Sequence, residues 1–257
     1  GSAYLYKFSE KNNVVSIDNS YRILASDRAA GDQFGDSVAI NGNYALVGAY
    51  AKDNYQGSAY LYKFSESGNA SFIIDNSLKI LASDATQGYW FGVSVAINGS
   101  YALVGASRNN HSGYVFAGAA YLYKFSESNN ATFTIHTSYR ILASDGFQND
   151  YFGHSVAIDG NYAIVGAYKN GNNEGSVYLY KFSEDNTSFT IDNSYQIEAS
   201  DIAASDNFGV SVAIDGSYAL VGAQGNDGDQ NNQTNAGAAY LYKFSEDNIN
   251  STFTIDN

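Results

Sequence analysis

Hydrophobic residues along this chain come in short runs that are separated by Asn-Gly or Asp-Gly pairs. The run "FGDSVAI" at 34–40 is followed by such a pair and then by "YALVGAY" at 44–50. Both runs are almost continuously apolar, which is typical of strands that are buried on both faces. Asn-Gly and Asp-Gly between apolar runs are strong signals for a tight β-hairpin. The pattern therefore predicts a buried hairpin whose two turn residues both have positive φ.

Two further strands are expected after each hairpin. The segment "GSAYLYKFSE" at 57–66 places Tyr60, Tyr62 and Phe64 on one face of a strand, since successive side chains alternate. A polar link follows, and we place the fourth strand around "LKILAS" at 78–83. The charge on this fourth strand indicates an outer, more solvated position.

The four-strand pattern recurs with a period of about 60 residues, which is typical of propellers and repeat arrays. A single four-stranded sheet cannot cover both of its faces, so neighbouring units must stack. We therefore predict an all-β, β-propeller-type array of four-stranded antiparallel blades, forming a single repeat domain over 1–257. The predicted units are a partial blade with the outer two strands at 1–33, blades at 34–90, 91–151 and 152–207, and a blade with a shortened outer strand at 208–257.

The motifs "FG", "VGA" and "GSAYLY" resemble the FG-GAP repeat, which builds the β-propeller of integrin α-subunits and recurs in bacterial and algal surface proteins. The resemblance implies an extracellular protein of the adhesion type. The proline of the family motif is replaced here by Tyr50, Ser107, Tyr168 and Gln224. Integrin-type repeats often carry a calcium loop between the first two strands, and here that connection is only a tight turn. A tight turn cannot supply six or more oxygen ligands, so we expect no calcium at these turns.

The two ends of the chain do not make whole blades. We expect the sequence to be a window of a longer repeating chain. The alternative is that the strands within 1–26 complete a neighbouring molecule by strand addition. Open sheet edges pair with other chains unless they are blocked. Self-association into a filament or a larger propeller is therefore expected.

Charge and composition narrow the classes of partner. The formal net charge of −13 argues against nucleic acids and anionic membranes, and no apolar run is long enough for membrane insertion. Cysteine is absent, so no disulfide holds the fold. Sequons for N-glycosylation predict a glycan-coated surface. The competing interpretation is that the sequons recur because the chain is rich in Asn and because one ancestral unit was copied. The candidate acceptors are Asn69, Asn130, Asn186 and Asn250, which share the link after "KFSE", and Asn98, Asn110 and Asn232.

Carboxylates supply the candidate metal sites. Asp227 and Asp229 in the variable loop 225–236 are the calcium candidates, with a solvated polar loop as the competing interpretation; no other cofactor is expected. Four aspartates recur after serine and are interpreted as turn residues that end the outer strand. They are Asp27, Asp84, Asp145 and Asp201. Three more precede "FG" pairs and suggest a ring of carboxylates around a channel mouth. They are Asp32, Asp150 and Asp206.

The sequence gives little support for a catalytic function, because the three histidines occupy non-equivalent positions in their repeats. They are His111, His136 and His154. We predict a non-enzymatic extracellular repeat protein that acts as a structural or adhesion scaffold, such as a glycan-coated fibre or a surface-layer subunit. The alternative is a ligand- or carbohydrate-binding adhesion propeller that uses the variable loop face. A third hypothesis, a glycosidase-like enzyme, needs a facing carboxylate pair that the sequence does not show. Trp90, the single tryptophan, fits either sugar stacking or local packing.

Overall fold

The computed structural model describes residues 1–67, 71–128, 132–185, 187–227, 236–247 and 252–256. These residues form five antiparallel sheets, and the strands of each sheet follow one another in chain order. The first sheet has two strands and is called the half-blade; the other four sheets have four strands each and are called blades 1 to 4. The all-β prediction of four-stranded, propeller-type blades is confirmed.

The half-blade contains β1 (Ala3–Lys11) and β2 (Val14–Ile23). Blade 1 contains β3 (Val38–Asn41), β4 (Tyr44–Ala49), β5 (Ser58–Glu66) and β6 (Phe72–Ile80). Blade 2 contains β7 (Phe91–Asn98), β8 (Tyr101–Ala106), β9 (Ala119–Glu127) and β10 (Phe133–Ile141). Blade 3 contains β11 (Ser155–Asp159), β12 (Tyr162–Ala167), β13 (Ser176–Glu184) and β14 (Phe189–Ile197). Blade 4 contains β15 (Phe208–Asp215), β16 (Tyr218–Ala223), β17 (Ala238–Asp247) and β18 (Thr252–Asp256).

In the described part of the chain, helical structure is limited to two short turns in the links between second and third strands, α1 (Lys52–Tyr55) and α2 (Asn170–Asn173), and the two inner residues of each have non-helical φ/ψ. Within the described residues, no helix has the length and apolar character needed to cross a membrane.

Each Asn-Gly or Asp-Gly pair lies at a tight hairpin, but the turn is displaced by one residue from the prediction. Asn41 pairs with Tyr44, so the two loop residues are Gly42 and Asn43. Of these residues only Gly42 has positive φ, at 56°, as a type II′ turn requires at its first central position. The prediction that both residues of the Asn-Gly pair have positive φ was wrong, because Asn41 still belongs to the strand. Its side-chain oxygen accepts the N–H of Gly99 in the turn of the next blade at 3.0 Å.

The fourth strand begins earlier than predicted. β6 starts at Phe72 and pairs with β5 from Glu66 onward, with a register shift between Lys63 and Phe64. The segment before "LKILAS" was interpreted as a polar link because it contains Asn and Ser. Its Phe72 is buried while Asp75 and Ser77 are exposed, which is the pattern of a strand with one covered face.

The hydrophobic core lies between neighbouring blades and not within any single sheet. Leu46 and Leu61 of blade 1 form one cluster with Val104 and Tyr121 of blade 2. Equivalent clusters join blade 2 to blade 3 and blade 3 to blade 4. Every residue of β8 except the first is buried, as predicted for a doubly covered second strand. In blade 1 the same prediction for the first strand was wrong, because Val38 and Ile40 of β3 are 61% and 58% exposed where the two-stranded half-blade does not cover them.

Neighbouring backbones come closest at glycine. Gly105 in β8 faces the carbonyl oxygen of Gly153, the glycine of the next "FG" pair, and a Cβ at Gly105 would overlap that oxygen. The hydroxyl of Ser94 donates a hydrogen bond to the same carbonyl at 2.8 Å. Gly48 and Gly166 make the same approach to the following blade. The contact leaves no room for a side chain.

We predict that Gly105→Ala lowers the free energy of unfolding by about 1–3 kcal/mol, because the added methyl forces two blades apart. Gly222→Ala is the matched control, since Gly222 holds the same position in blade 4 but faces only the rotatable hydroxyl of Ser211. Urea unfolding of both variants at low protein concentration measures the difference. Equal losses in the two variants would contradict the role of the interblade contact.

Candidate functional site

Two sets of links meet at one end of the blades, which we call the loop face. They are the links between second and third strands and the links that precede each "FG" pair. The N–H of Trp90 donates to the carbonyl of Tyr55 at 2.9 Å, and the N–H of Tyr151 donates to that of Phe116 at 3.1 Å. Asn207 makes the equivalent bond to Asn173 at 2.9 Å, so the residue before "FG" is fixed on the link of the preceding blade in blades 2, 3 and 4.

This residue before "FG" takes the left-handed backbone conformation in every repeat. Its φ is 56° at Gln33, 60° at Trp90, 56° at Tyr151 and 54° at Asn207. The left-handed region disfavours residues that carry a Cβ, and asparagine tolerates it best among them. The repeat therefore requires the backbone conformation at this position but not an aromatic side chain.

Aromatic rings and two cations nevertheless gather here in one half-buried group, which we call the aromatic–cation patch. It consists of Tyr55, Trp90, Arg108, Phe116, Tyr151 and Lys169. The guanidinium carbon of Arg108 lies 3.6 Å from the ring centroid of Trp90 and 5.1 Å from that of Phe116. The ammonium of Lys169 lies 5.2 Å from the ring of Tyr151. These distances are those of cation–π contacts.

The cations of the patch form no ion pair within the described residues. The side chain of Arg108 forms no ion pair or hydrogen bond with the described residues, and its Nε is buried without a partner. Lys169 likewise has no carboxylate within ion-pair distance in the described part of the chain. Burial lowers the pKa of His154, whose ring lies 4.4 Å from Tyr168 beside the patch. His154 is therefore neutral at pH 7, and the patch carries the charges of its two cations.

The recurring aspartates after serine reach across to the next blade. Asp84 at the end of blade 1 accepts hydrogen bonds from the hydroxyl of Tyr121, from Arg140 at 2.7 Å and from Asn109 at 3.2 Å in blade 2. Burial raises the pKa of Asp84, but these donors outweigh it and hold the pKa below its usual range. The interpretation as simple turn residues was incomplete, because each of these carboxylates binds the tyrosine of the following third strand.

The predicted ring of carboxylates around a channel mouth was wrong. Asp32, Asp150 and Asp206 are buried. Each accepts the backbone N–H of the residue three positions earlier, at 2.6 Å for Asp32 and Asp150 and 2.9 Å for Asp206. Lys52 adds an ion pair to Asp32 at 3.1 Å. These groups close the links internally, so they are not available to bind cations at the surface.

A ladder of ion pairs runs along the third strands from blade to blade. The lysine of each "KFSE" segment pairs with the glutamate of the next, and Lys181 with Glu246 at 2.5 Å is one step. The other steps are Lys7–Glu66, Lys63–Glu127 and Lys124–Glu184. Glu10 in β1 and Lys243 in β17 hold the equivalent positions at the two ends and have no ladder partner within the described residues.

The two end surfaces expose residues that are buried in the middle of the array. Leu241 in blade 4 is 63% exposed, while its equivalent Leu61 in blade 1 is 0% exposed. Tyr4 in the half-blade is 55% exposed, while its equivalent Tyr60 is 2% exposed. A groove of about 350 Å³ beside Tyr4 is lined by Val38 and other apolar residues. Each end therefore presents one half of an interblade contact.

The described residues include only part of the predicted sites. Asn98 donates to Asp159 at 3.0 Å and accepts from Gly160 at 3.3 Å, so its amide is part of the contact between two turns. The side-chain oxygen of exposed Asn110 accepts the N–H of Phe116 at 2.8 Å. The acceptors Asn69, Asn130, Asn186, Asn232 and Asn250 lie outside the described residues.

The calcium candidates are likewise only half described. Asp227 is exposed at the end of a described segment, and Asp229 lies outside the described residues. Nowhere in the described segments do three or more His, Asp or Glu side chains gather in a way that could hold a metal ion.

Sequence reasoning missed the cations of the patch and the ladder. The signal for the ladder was present, since lysine and glutamate stand at fixed positions in every "KFSE" segment. Arg108 and Lys169 carried a weaker signal, because they occupy one equivalent position in two repeats where the other two have Ala51 and Gly225.

We predict that Asp84→Asn destabilises the protein by about 1–2 kcal/mol at pH 7, since three donors lose a charged acceptor. A lowered folded pKa contributes stability above the unfolded value, about 3.9, that is lost as pH falls through the folded pKa. The difference between variant and wild type should therefore shrink as the pH falls below about 4.

Thermal unfolding across this pH range provides the measurement. Asp201→Asn is the control, because within the described residues only the hydroxyl of Tyr240 donates to the Asp201 side chain, so the loss should be smaller. A difference for Asp84→Asn that is independent of pH would contradict the electrostatic role.

Comparison with known proteins bears on both fold and family. The FG-GAP repeat model matches residues 18–62, 76–123, 138–180 and 193–242. Comparison with curated proteins finds no significant match. One solved structure that matches is that of Saccharomyces cerevisiae Sqt1, with 13% identity and a TM-score of 0.37. The alignment covers 66% of this chain but only 37% of that protein, and so distant a likeness carries no argument.

Each segment matched by the family model crosses a junction between blades. The first runs from β2 to β5 and the second from β6 to β9, so each contains one "FG" pair. The resemblance in motifs is thereby confirmed over most of the chain, and this chain belongs to the FG-GAP repeat family.

Proposed function

We propose that this chain is a non-enzymatic, extracellular scaffold for structure or adhesion, and that its copies associate end to end through the packing that joins its own blades. FG-GAP repeats form repeat propellers of the adhesion type, which supports the coarse function. The observation that carries the finer proposal is the Lys–Glu ladder, which ends on Lys243 at one end and on Glu10 at the other. Opposite charges at equivalent positions steer two copies into one register.

The apolar residues of the two ends support the same arrangement. Within the chain, the leucine face of one blade packs on the tyrosine face of the next. Exposed Leu241 belongs to the first kind of face, and exposed Tyr4 and Tyr6 belong to the second kind. A head-to-tail contact between copies would bury both, and such a contact repeats into an open filament unless its geometry closes a ring.

The non-enzymatic part of the proposal is supported by how the carboxylates of the loop face are used. Asp32, Asp150 and Asp206 are committed to backbone N–H groups, and Asp84 is committed to the next blade. A pair of carboxylates for acid–base chemistry needs an open space between them.

Location and surface coating follow from the sequons and the family. Four of the sequons recur in one link after "KFSE", which is the pattern of a surface coated with glycan. FG-GAP repeats are typical of extracellular and surface proteins, which supports the same location.

We predict that Lys243→Glu and Glu10→Lys each weaken self-association by about two- to fivefold, since each substitution puts like charges together in the contact between copies. The double variant should recover wild-type association, because the pair is restored with its charges exchanged. Sedimentation over a range of concentrations measures all three variants. Arg28→Glu, which changes the net charge by the same amount on an exposed loop, is the control.

A wild-type chain that stays monomeric at high concentration would contradict the proposal. A double variant that associates as weakly as the single variants would contradict the register that the ladder implies.

For the surface coating, we predict that the protein secreted from a eukaryotic host carries glycans at Asn69, Asn130, Asn186 and Asn250. Asn98 should stay unmodified, because its amide is engaged between two turns. Peptide mapping before and after treatment with an amidase that removes N-glycans identifies the sites. Modification of Asn98 with the four link sites bare would overturn the assignment.

A further inference from the structure

We infer that the aromatic–cation patch is a binding site for the carboxylate of an acidic sugar, and that the guanidinium of Arg108 receives that carboxylate. The site goes beyond the scaffold function and does not depend on contacts between copies. It lies on the loop face, where the links differ most from repeat to repeat.

The first argument is the setting of Arg108. Its guanidinium is held between two aromatic rings, at 3.6 Å from the centroid of Trp90 and 5.1 Å from that of Phe116. The rings hold the planar group in place, and no described side chain accepts from its N–H donors. A guanidinium presents a fork of donors that matches a carboxylate in two parallel hydrogen bonds. Because the group is already ordered, little side-chain entropy is lost on binding.

The second argument comes from comparing the repeats within the chain. Trp90 precedes blade 2 and Arg108 follows the second strand of that blade; Tyr151 and Lys169 hold the same two positions in blade 3. Blades 1 and 4 have neither an aromatic residue nor a cation there, with Gln33 and Ala51 in blade 1 and Asn207 and Gly225 in blade 4. The fold therefore does not require the pair, and the chain carries both members or neither.

The third argument is that the aromatic residues adopt the left-handed backbone conformation, which is unfavourable for them. Tyr55, Trp90, Phe116 and Tyr151 all have φ between 52° and 64°. Asn173 occupies the position of Tyr55 and Phe116 in blade 3 with a φ of 61°. An asparagine would satisfy each of these turns with less strain, so the rings serve something other than the turn.

The chemistry of the patch favours a sugar over an acidic peptide. Tyr55 lies 6.1 Å from Trp90 in a stacked arrangement and is 49% exposed, so part of its side chain is open to solvent. The C–H face of a pyranose packs on such a ring while a carboxylate on the sugar reaches the adjacent cation. A polyacidic peptide offers no such C–H face to the ring.

The test uses the full chain and a trimer of galacturonic acid as the probe. Trp90 is the only tryptophan, so its fluorescence reports on the patch directly. We expect a saturable change in emission with trigalacturonate, weakened by added salt. The neutral trimer of galactose and the peptide triglutamate should each bind at least about tenfold more weakly. The galactose trimer lacks the carboxylate that Arg108 would bind, and triglutamate lacks the sugar ring that would pack on Tyr55.

Two variants separate binding from packing. Arg108→Ala installs the residue that blade 1 carries at the same position, as Ala51, so the fold accepts it. It should weaken trigalacturonate binding by at least about tenfold and leave binding of the neutral trimer unchanged. Lys11→Gln, which removes a cation from β1 away from the loop face, should bind like the wild type.

Three outcomes would overturn the site. They are no saturable response to trigalacturonate at up to about 10 mM, equal binding of triglutamate or the neutral trimer, and undiminished binding by Arg108→Ala. Lys243→Glu, which weakens association between copies, should bind the sugar like the wild type. Failure of the scaffold proposal and failure of this site are therefore distinguishable.

Discussion

The contact between the glycine of a second strand and the "FG" glycine of the next blade sets the geometry of the whole array. At Gly105 the carbonyl oxygen of Gly153 occupies the space that a Cβ would need, and the hydroxyl of Ser94 binds the same oxygen. Two sheets can approach this closely only where both backbones lack a side chain. Once that distance is set, the leucines of one blade and the tyrosines of the next reach into a common core. The repeat is therefore defined by its junctions more than by its sheets.

The ladder, the aspartate clamps and the turn contacts all follow from this geometry. In these contacts a polar group of one blade binds a partner one repeat later in the chain; Lys63 binds Glu127, and Asp84 binds Tyr121. In a repeat array built in this way, the outermost sheets lack the neighbour that would cover the same set of residues. Exposed Leu241 and exposed Tyr4 belong to the two kinds of surface that pack together at such a junction.

Sequence alone was sufficient for the parts of the fold that repeat. Runs of apolar residues, the hairpin signals and the spacing of the "FG" pairs predicted the four-stranded sheets, because each depends on local side-chain pattern. The turn at Gly42 and the start of β6 at Phe72 were misplaced, since both depend on pairing with a neighbouring strand. The roles of Asp32 and Asp84 were missed for the same reason. An aspartate in a loop has the same local sequence whether it faces water or accepts hydrogen bonds from another segment.

The aromatic–cation patch was beyond sequence reasoning for a different reason: it arises where the repeats differ. Trp90 and Arg108 are separated by a complete hairpin, and only the fold brings the ring and the guanidinium within 3.6 Å. In a repeat array, residues shared by all units are explained by the contact between units. Other residues change together in some units and are therefore free of that constraint. The backbone conformation stays constant where they change, at Gln33, Trp90, Tyr151 and Asn207. Substitutions at these positions leave the junctions undisturbed, so this part of the loop face can differ from repeat to repeat while the array stays the same.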